Sequence, residues 1–256
     1  MSGDLAGTVA IVTGGGSGIG LAAVRAFARR GAAVAVNYSR NRPAAEGAVA
    51  RVMESGGRAL AIQTDVSNDG DVRAMMQRVA AELGGVDYLV NSAGWTRRVQ
   101  PHREMEALTD DVWDRVWAVN VKGAFYCARA AVPHMLKRGG GAVVNVTSVA
   151  ALSGMGSSMA YAASKAALGT LTLSMARALA PAVRVNAVAP GLIATGFGGF
   201  TEADWSAVAK TTPVGRLATD DETAQAIVYL ATARALTGQT IVVDGGLVAL
   251  GPIADS

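Results

Sequence analysis

"VTGGGSGIG" (Val12–Gly20) packs five glycines and one serine behind a short apolar run. Glycine at such density costs backbone entropy, so the chain must need room at this point. The run before it, Thr8–Val12, reads as a strand. The segment after it, from Gly18 to Arg30, has helical periodicity. The glycines therefore fall on a strand-to-helix turn, where the first N–H groups and the dipole of a helix favour an anion. A purely structural turn needs one or two glycines. Five imply that something approaches the main chain closely.

The same alternation continues along the chain. Valine-rich runs at Ala33–Asn37, Ala59–Gln63, Asp87–Val90, Ala142–Val146, Val183–Val188 and Thr240–Val243 are apolar almost throughout, as strands covered on both faces must be. Between them lie helical patterns at Pro43–Ser55, Asp69–Leu83, Asp110–Lys137, Met159–Leu179 and Asp220–Thr232, several opened by Ser/Thr/Asp start signals. Alternating strands and helices predict a Rossmann-type α/β fold, with a seven-stranded, mostly parallel sheet flanked by helices on both faces. Without linker or repeat, residues 1–256 read as one domain, and Pro190–Gly199 as a loop over a site.

Bulk properties narrow the classes. Half of the 256 residues are hydrophobic, ample for a core, and the formal charge is only +3. The basic residues are scattered, which argues against nucleic acid. No stretch approaches a membrane span, and the N-terminus lacks the basic and apolar regions of a secretory signal. With the lone Cys127, these features suggest a cytoplasmic protein.

The glycine spacing is Gly14-x3-Gly18-x-Gly20. It is neither G-x-G-x-x-G nor a P-loop, because no Gly-Lys-Ser/Thr follows. The roles expected of it are a tight turn, an open approach to a pyrophosphate, and close packing of helix on strand. A carboxylate for a ribose 2′-hydroxyl is expected about 20 residues on. Asn37 stands there, no acid appears before Glu46, and Arg40 and Arg42 follow. A guanidinium binds a 2′-phosphate that a carboxylate repels, which favours NADP(H) over NAD(H), with Tyr38, Ser39 and Arg40 around the adenosine. Arg42 reads as a solvated helix-start charge.

"YAASK" sets Tyr161 and Lys165 on one helical face, and Ser148 ends the strand "AVVNVTS", at the sheet edge where such folds place ligands. A phenol titrates near 10, too high for efficient proton transfer at neutral pH. An adjacent ammonium, with a cationic nicotinamide, is expected to lower it by two or three units, which needs ~3–4 kcal/mol of differential interaction.

"TGGGSGIG", "NSAG", "YAASK" and "PG", in this order, resemble the short-chain dehydrogenase/reductase family from about residue 5 to 247, with a 3-oxoacyl-acyl-carrier-protein reductase-like stamp. The resemblance implies Tyr161 as general acid or base, Lys165 on the nicotinamide ribose, Ser148 on the substrate oxygen, and Asn120 holding a water that links Lys165 to solvent. It further implies dinucleotide contacts from Gly14, Ser17, Gly18, Ile19 and Gly20, from Asp65 and Val66 at the adenine, from Asn91, Ala93 and Gly94, and from Pro190, Gly191, Ile193 and Thr195. Ser92 replaces the family's usual asparagine, and Ser17 stands where NADP-specific relatives often carry Arg or Lys. The family also implies a homotetramer through its long helices, with the tail "LVALGPIADS" reaching a neighbour, and a substrate lid near 192–215.

Trp95, Phe197 and Phe200, with Trp205, are expected to form an apolar substrate wall. Trp113 and Trp117, one turn apart, suggest a subunit interface; Met75 and Met76 read as core. His102 and His134 are isolated and predict no metal. The leading function is hydride transfer from NADPH to a ketone or aldehyde. The alternatives are a 3-oxoacyl-thioester reductase and an NAD-dependent alcohol dehydrogenase. Enoyl reductases separate the tyrosine and lysine more widely. A non-catalytic dinucleotide sensor would typically lack the tyrosine, lysine or serine.

Overall fold

The computed structural model describes residues 3–252. Seven parallel strands form one sheet: β1 (Val9–Thr13), β2 (Ala33–Tyr38), β3 (Ala59–Gln63), β4 (Tyr88–Asn91), β5 (Gly141–Val146), β6 (Val183–Pro190) and β7 (Thr240–Val243), in the spatial order β3-β2-β1-β4-β5-β6-β7. The order reverses at β1, which pairs with β2 on one side and β4 on the other. A crevice opens at the carboxyl ends of strands at such a switch point.

Alternating residues of β1 divide the core. Val9 and Ile11 face one layer with Leu89, Val143 and Val185. Ala10 and Val12 face the other with Val34, Val36, Val90, Val144 and Val188. The first layer is covered by α3 (Asp69–Leu83), α5 (Ala124–Lys137) and α7 (Met159–Leu179). The second is covered by α1 (Gly18–Arg29), α2 (Arg42–Glu54) and α9 (Asp220–Thr232). Both faces are sealed, which is why the strands read as continuous apolar runs rather than alternating ones. Met75 and Met76 are buried in the first layer.

Two sequence readings are corrected. The segment Asp110–Lys137 is not one regular helix: α4 (Asp110–Trp117) and α5 are joined by a π-helical segment, Ala118–Gly123, which holds Asn120. Periodicity could not reveal it, because an inserted residue keeps the helix axis while rotating the faces beyond it. The segment 192–215 is not loop throughout either. It contains α8 (Glu202–Thr211), started by a capping box in which Thr201 and Asp204 satisfy each other's backbone N–H groups. The Thr-x-x-Asp signature was present in the sequence. The short helices α6 (Ala150–Ser153) and α10 (Leu247–Leu250) flank the crevice. Of the tail, 253–256 lie outside the described residues.

Candidate active site

A single cleft of about 1460 Å³ runs across the carboxyl ends of the strands. One end is the glycine turn. Asn37 organises it: its Oδ1 accepts from Gly14 N (3.3 Å), its Nδ2 donates to Thr64 O (3.1 Å) and Ile62 O (3.4 Å), and its carbonyl accepts from Gly15 N (3.0 Å). The position where an acid was sought is thus a buried strut joining β2, β3 and the turn. Side chains on the glycines would fill the cradle. A methyl on Gly14 would stand 3.1 Å from Ala93 Cα, one on Gly16 3.2 Å from Ala45 N, and one on Gly20 would run into the Gly14 carbonyl oxygen. Backbone bared at a helix start is the donor set that a pyrophosphate needs, so the residues present fit a dinucleotide.

Ser17, Gly18, Ile19, Tyr38, Ser39, Arg40, Asp65 and Val66 line this end with Gly14 and Gly20. Arg40 is exposed at the rim. Arg42 turns away, pairing with Glu46 (3.2 Å) and donating to the Tyr38 hydroxyl (3.2 Å). Asp65 is held by Ser67 N (3.0 Å) and by Arg115 (3.1 Å), a residue that the sequence reading passed over.

At the centre, three candidate catalytic side chains converge. The strand β5 ends at Val146, whose carbonyl accepts a hydrogen bond from Lys165 Nζ at 2.7 Å. Ser148 follows two residues later, its Oγ accepting from Ala150 N (3.1 Å). α7 starts at the N-cap Ser158, whose side chain accepts from Tyr161 N, so the helix brings Tyr161 and Lys165 to the cleft within its first two turns. Lys165 Nζ lies 5.6 Å from the centroid of the Tyr161 ring. Pro190, Gly191, Ile193 and Thr195 wall the cleft after β6, and Ala93, Gly94 and Trp95 wall it after β4. Thr13 Oγ1 pins this second wall, accepting from Ser92 N (3.1 Å) and Ala93 N (3.0 Å).

The chain by itself does not acidify the phenol. Burial pushes Tyr161 up to about 12, and a hydrogen bond with Ser148 only partly opposes it. Burial also draws Lys165 down to about 8, because an ammonium held at a dry carbonyl is poorly solvated.

Two residues fall outside the cleft wall. Asn120 is buried; its Oδ1 accepts from Trp95 N (2.8 Å), and its Nδ2 donates to Trp95 O (3.0 Å) and Ser164 Oγ (3.0 Å). Its amide joins the loop after β4 to α7. Asn91 is buried as well, donating to Ala124 O (3.1 Å) and Asn145 Oδ1 (2.9 Å), so it braces strands rather than touching the cleft. The burial of these amides, read against their neighbours, could not be seen in the sequence.

The far end is apolar. Trp95, Phe197 and Phe200 line it, joined by Leu152, Met155, Val208 and Val248, whereas Trp205 does not. Arg98 stacks over the Phe200 ring at 4.7 Å and grips Asp204 with two bonds of 2.8 and 2.9 Å, which holds that carboxyl well below its usual range. His102 lies in the wall, its Nε2 3.0 Å from Gly156 O.

A glycine cradle, a Tyr-x-x-x-Lys helix and a serine at the end of β5 share one crevice. The family model described as Enoyl-(Acyl carrier protein) reductase matches residues 14–248. A solved short-chain dehydrogenase/reductase from Burkholderia xenovorans superposes with a TM-score of 0.88 at 38% identity, covering 94% of this chain and 97% of that one. The chain belongs to the short-chain dehydrogenase/reductase family. Within this oxidoreductase family it is 38% identical to the 3-oxoacyl-[acyl-carrier-protein] reductase of Synechocystis sp., over 95% of this chain and 98% of that protein. It is also similar to a gluconate 5-dehydrogenase of Burkholderia cenocepacia solved with NADP and tartrate (TM-score 0.86, 35% identity, 95% and 96% coverage). No described helix is long and apolar enough to cross a membrane.

Proposed function

We propose that this short-chain dehydrogenase/reductase reduces a ketone or aldehyde at the expense of NADPH, and oxidises the corresponding alcohol in reverse. The observation that carries the reading is the convergence of Ser148, Tyr161 and Lys165 at the centre of a cleft whose one end is the glycine cradle. A bound nicotinamide dinucleotide supplies the hydride and, when oxidised, a positive charge. Arg40 at the rim takes the 2′-phosphate, a preference supported by the NADP bound to the gluconate 5-dehydrogenase neighbour.

Ser148 donates to the substrate oxygen and fixes the carbonyl. Tyr161 gives that oxygen a proton. A phenol pushed to about 12 stays protonated across neutral pH, so the chain by itself is poised as an acid, the form that carbonyl reduction needs. In the reverse direction Tyr161 must act as phenolate, so alcohol oxidation rises with pH while reduction does not. Lys165 holds the nicotinamide ribose and stabilises the phenolate. Trp95, Phe197 and Phe200 give the substrate an apolar wall.

The exposed Trp113, Trp117 and Phe125 on α4 and α5 support assembly as a homotetramer through these helices. The reading places the protein in the cytoplasm, as one catalytic domain with a lid at 192–215.

The test is the decay of NADPH absorbance with a panel of ketones, for the parent and for Tyr161→Phe. Loss of roughly three orders of magnitude in kcat/KM is expected on the best substrate. A variant that keeps the parent's rate removes Tyr161 as the acid.

A further inference from the structure

From the apolar wall, Phe197 also reaches inward to the centre of the cleft. Its ring lies against Tyr161, with centroids 5.9 Å apart and planes tilted by 53°. A methyl built on Gly94 would meet Phe197 Cζ at 3.7 Å, Lys165 Nζ at 3.7 Å and Asn120 Oδ1 at 3.6 Å. The tip of the phenylalanine and the ammonium of Lys165 therefore border the same small space above Gly94. On the proposed function, that space belongs to the nicotinamide ribose and the ring it carries. We propose that Phe197 is a placeholder in the nicotinamide subsite, and that it must swing out before a dinucleotide seats fully. The inference rests on the cofactor reading above.

The backbone around Phe197 is built for such a movement. Gly196 and Gly198 flank it at φ +73° and +78°, a region that other residues rarely adopt, and the three-residue turn Phe197–Gly199 is not regular helix. Beyond these glycines the loop is anchored on both sides. Upstream, Thr195 leans on the glycine turn, its Cγ2 3.2 Å from where a methyl on Gly18 would lie. Downstream, Arg98 bonds Gly199 O (2.9 Å) and both carboxylate oxygens of Asp204. Phe197 is thus one large side chain on a short pivot between two fixed points. It is 46% exposed, so its ring is only partly sheltered and its release costs little.

A blocked subsite lowers apparent affinity by the fraction of molecules in which it is open. Removing the ring must therefore tighten binding, although Phe197 lines the cleft. The experiment titrates NADPH by fluorescence, and 2′,5′-ADP by calorimetry, into the parent, Phe197→Ala and Phe197→Leu. For NADPH, Phe197→Ala is expected to lower Kd by about fivefold, with Phe197→Leu in between. For 2′,5′-ADP, which has no nicotinamide, all three proteins should agree within error. An unchanged or weakened NADPH affinity in Phe197→Ala, with 2′,5′-ADP bound by every variant, overturns the placeholder and leaves the cofactor reading standing. An equal gain for both ligands overturns it too, since the effect then lies outside the nicotinamide end. If neither ligand binds the parent, the cofactor reading falls, and the placeholder with it.

Discussion

At the glycine-turn end of the cleft, the main chain of Gly14 and Gly15 is tied to Asn37, and Asn37 in turn to Ile62 and Thr64. At the other end, Phe197 stands between two glycines of positive φ, and an ion pair, Arg98 with Asp204, holds α8. The first region is wired into three strands through a buried amide; the second is pinned at its edges and half exposed. The difference follows from what each end must recognise. A dinucleotide backbone is one invariant shape, so a pre-ordered cradle loses no ordering entropy when it binds. A substrate must enter and its product leave, which needs a segment drawn from the less stable part of the fold. Tyr161 and Lys165 stand where the two meet.

The contrast can be broken most severely at the wired end. Asn37→Asp removes the amide that donates to Ile62 O and Thr64 O, and faces a carboxylate with their carbonyl oxygens. A loss of about 3 kcal/mol in unfolding free energy is expected, measured by urea denaturation. A loss below 1 kcal/mol would mean that the strut is not structural. No gain of NAD(H) affinity is expected, because the side chain at 37 is engaged with the sheet.

At the junction the sign reverses. Lys165 has a folded pKa of about 8, below its ordinary 10.5, so the native state bears a penalty that is full below pH 8 and gone above 10.5. The penalty is about 3 kcal/mol, and losing the bond to Val146 O offsets part of its relief. Lys165→Met should therefore be more stable than the parent by about 2 kcal/mol at pH 7, while reductase activity is lost. The gap should close as pH rises through that window. A variant less stable at pH 7 would show that the ammonium is not desolvated.

The smallest effect belongs to the exposed rim. Arg40→Asp should leave stability unchanged and move the ratio of kcat/KM for NADPH over NADH at least tenfold toward NADH, about 1.4 kcal/mol. An unchanged ratio would remove Arg40 as the phosphate reader.

Much of the cleft was legible because its residues lie at the ends of strands that the apolar runs locate. Ser148 follows β5 by two residues, Pro190 ends β6, and the glycines follow β1. Asn120 sits in a π-helical segment with its side chain bonded to Trp95 and Ser164, a placement that no local pattern discloses. Arg98 and Arg115 went unread because each acts on a partner 48 or more residues away.

By itself the sequence determined the parallel sheet, its two helical layers, and the neighbourhood in which Tyr161, Lys165 and Ser148 meet. Those properties follow from local periodicity, and from the rule that parallel strands need crossovers of one hand. Only the tertiary structure decided that Asn37 is a strut, that Asn91 and Asn120 face inward, that Phe197 leans on Tyr161, and that burial raises the phenol in the chain by itself. Each depends on how much water is left around a group once distant segments have packed against it. Solvation at a point in space is written in no single stretch of chain.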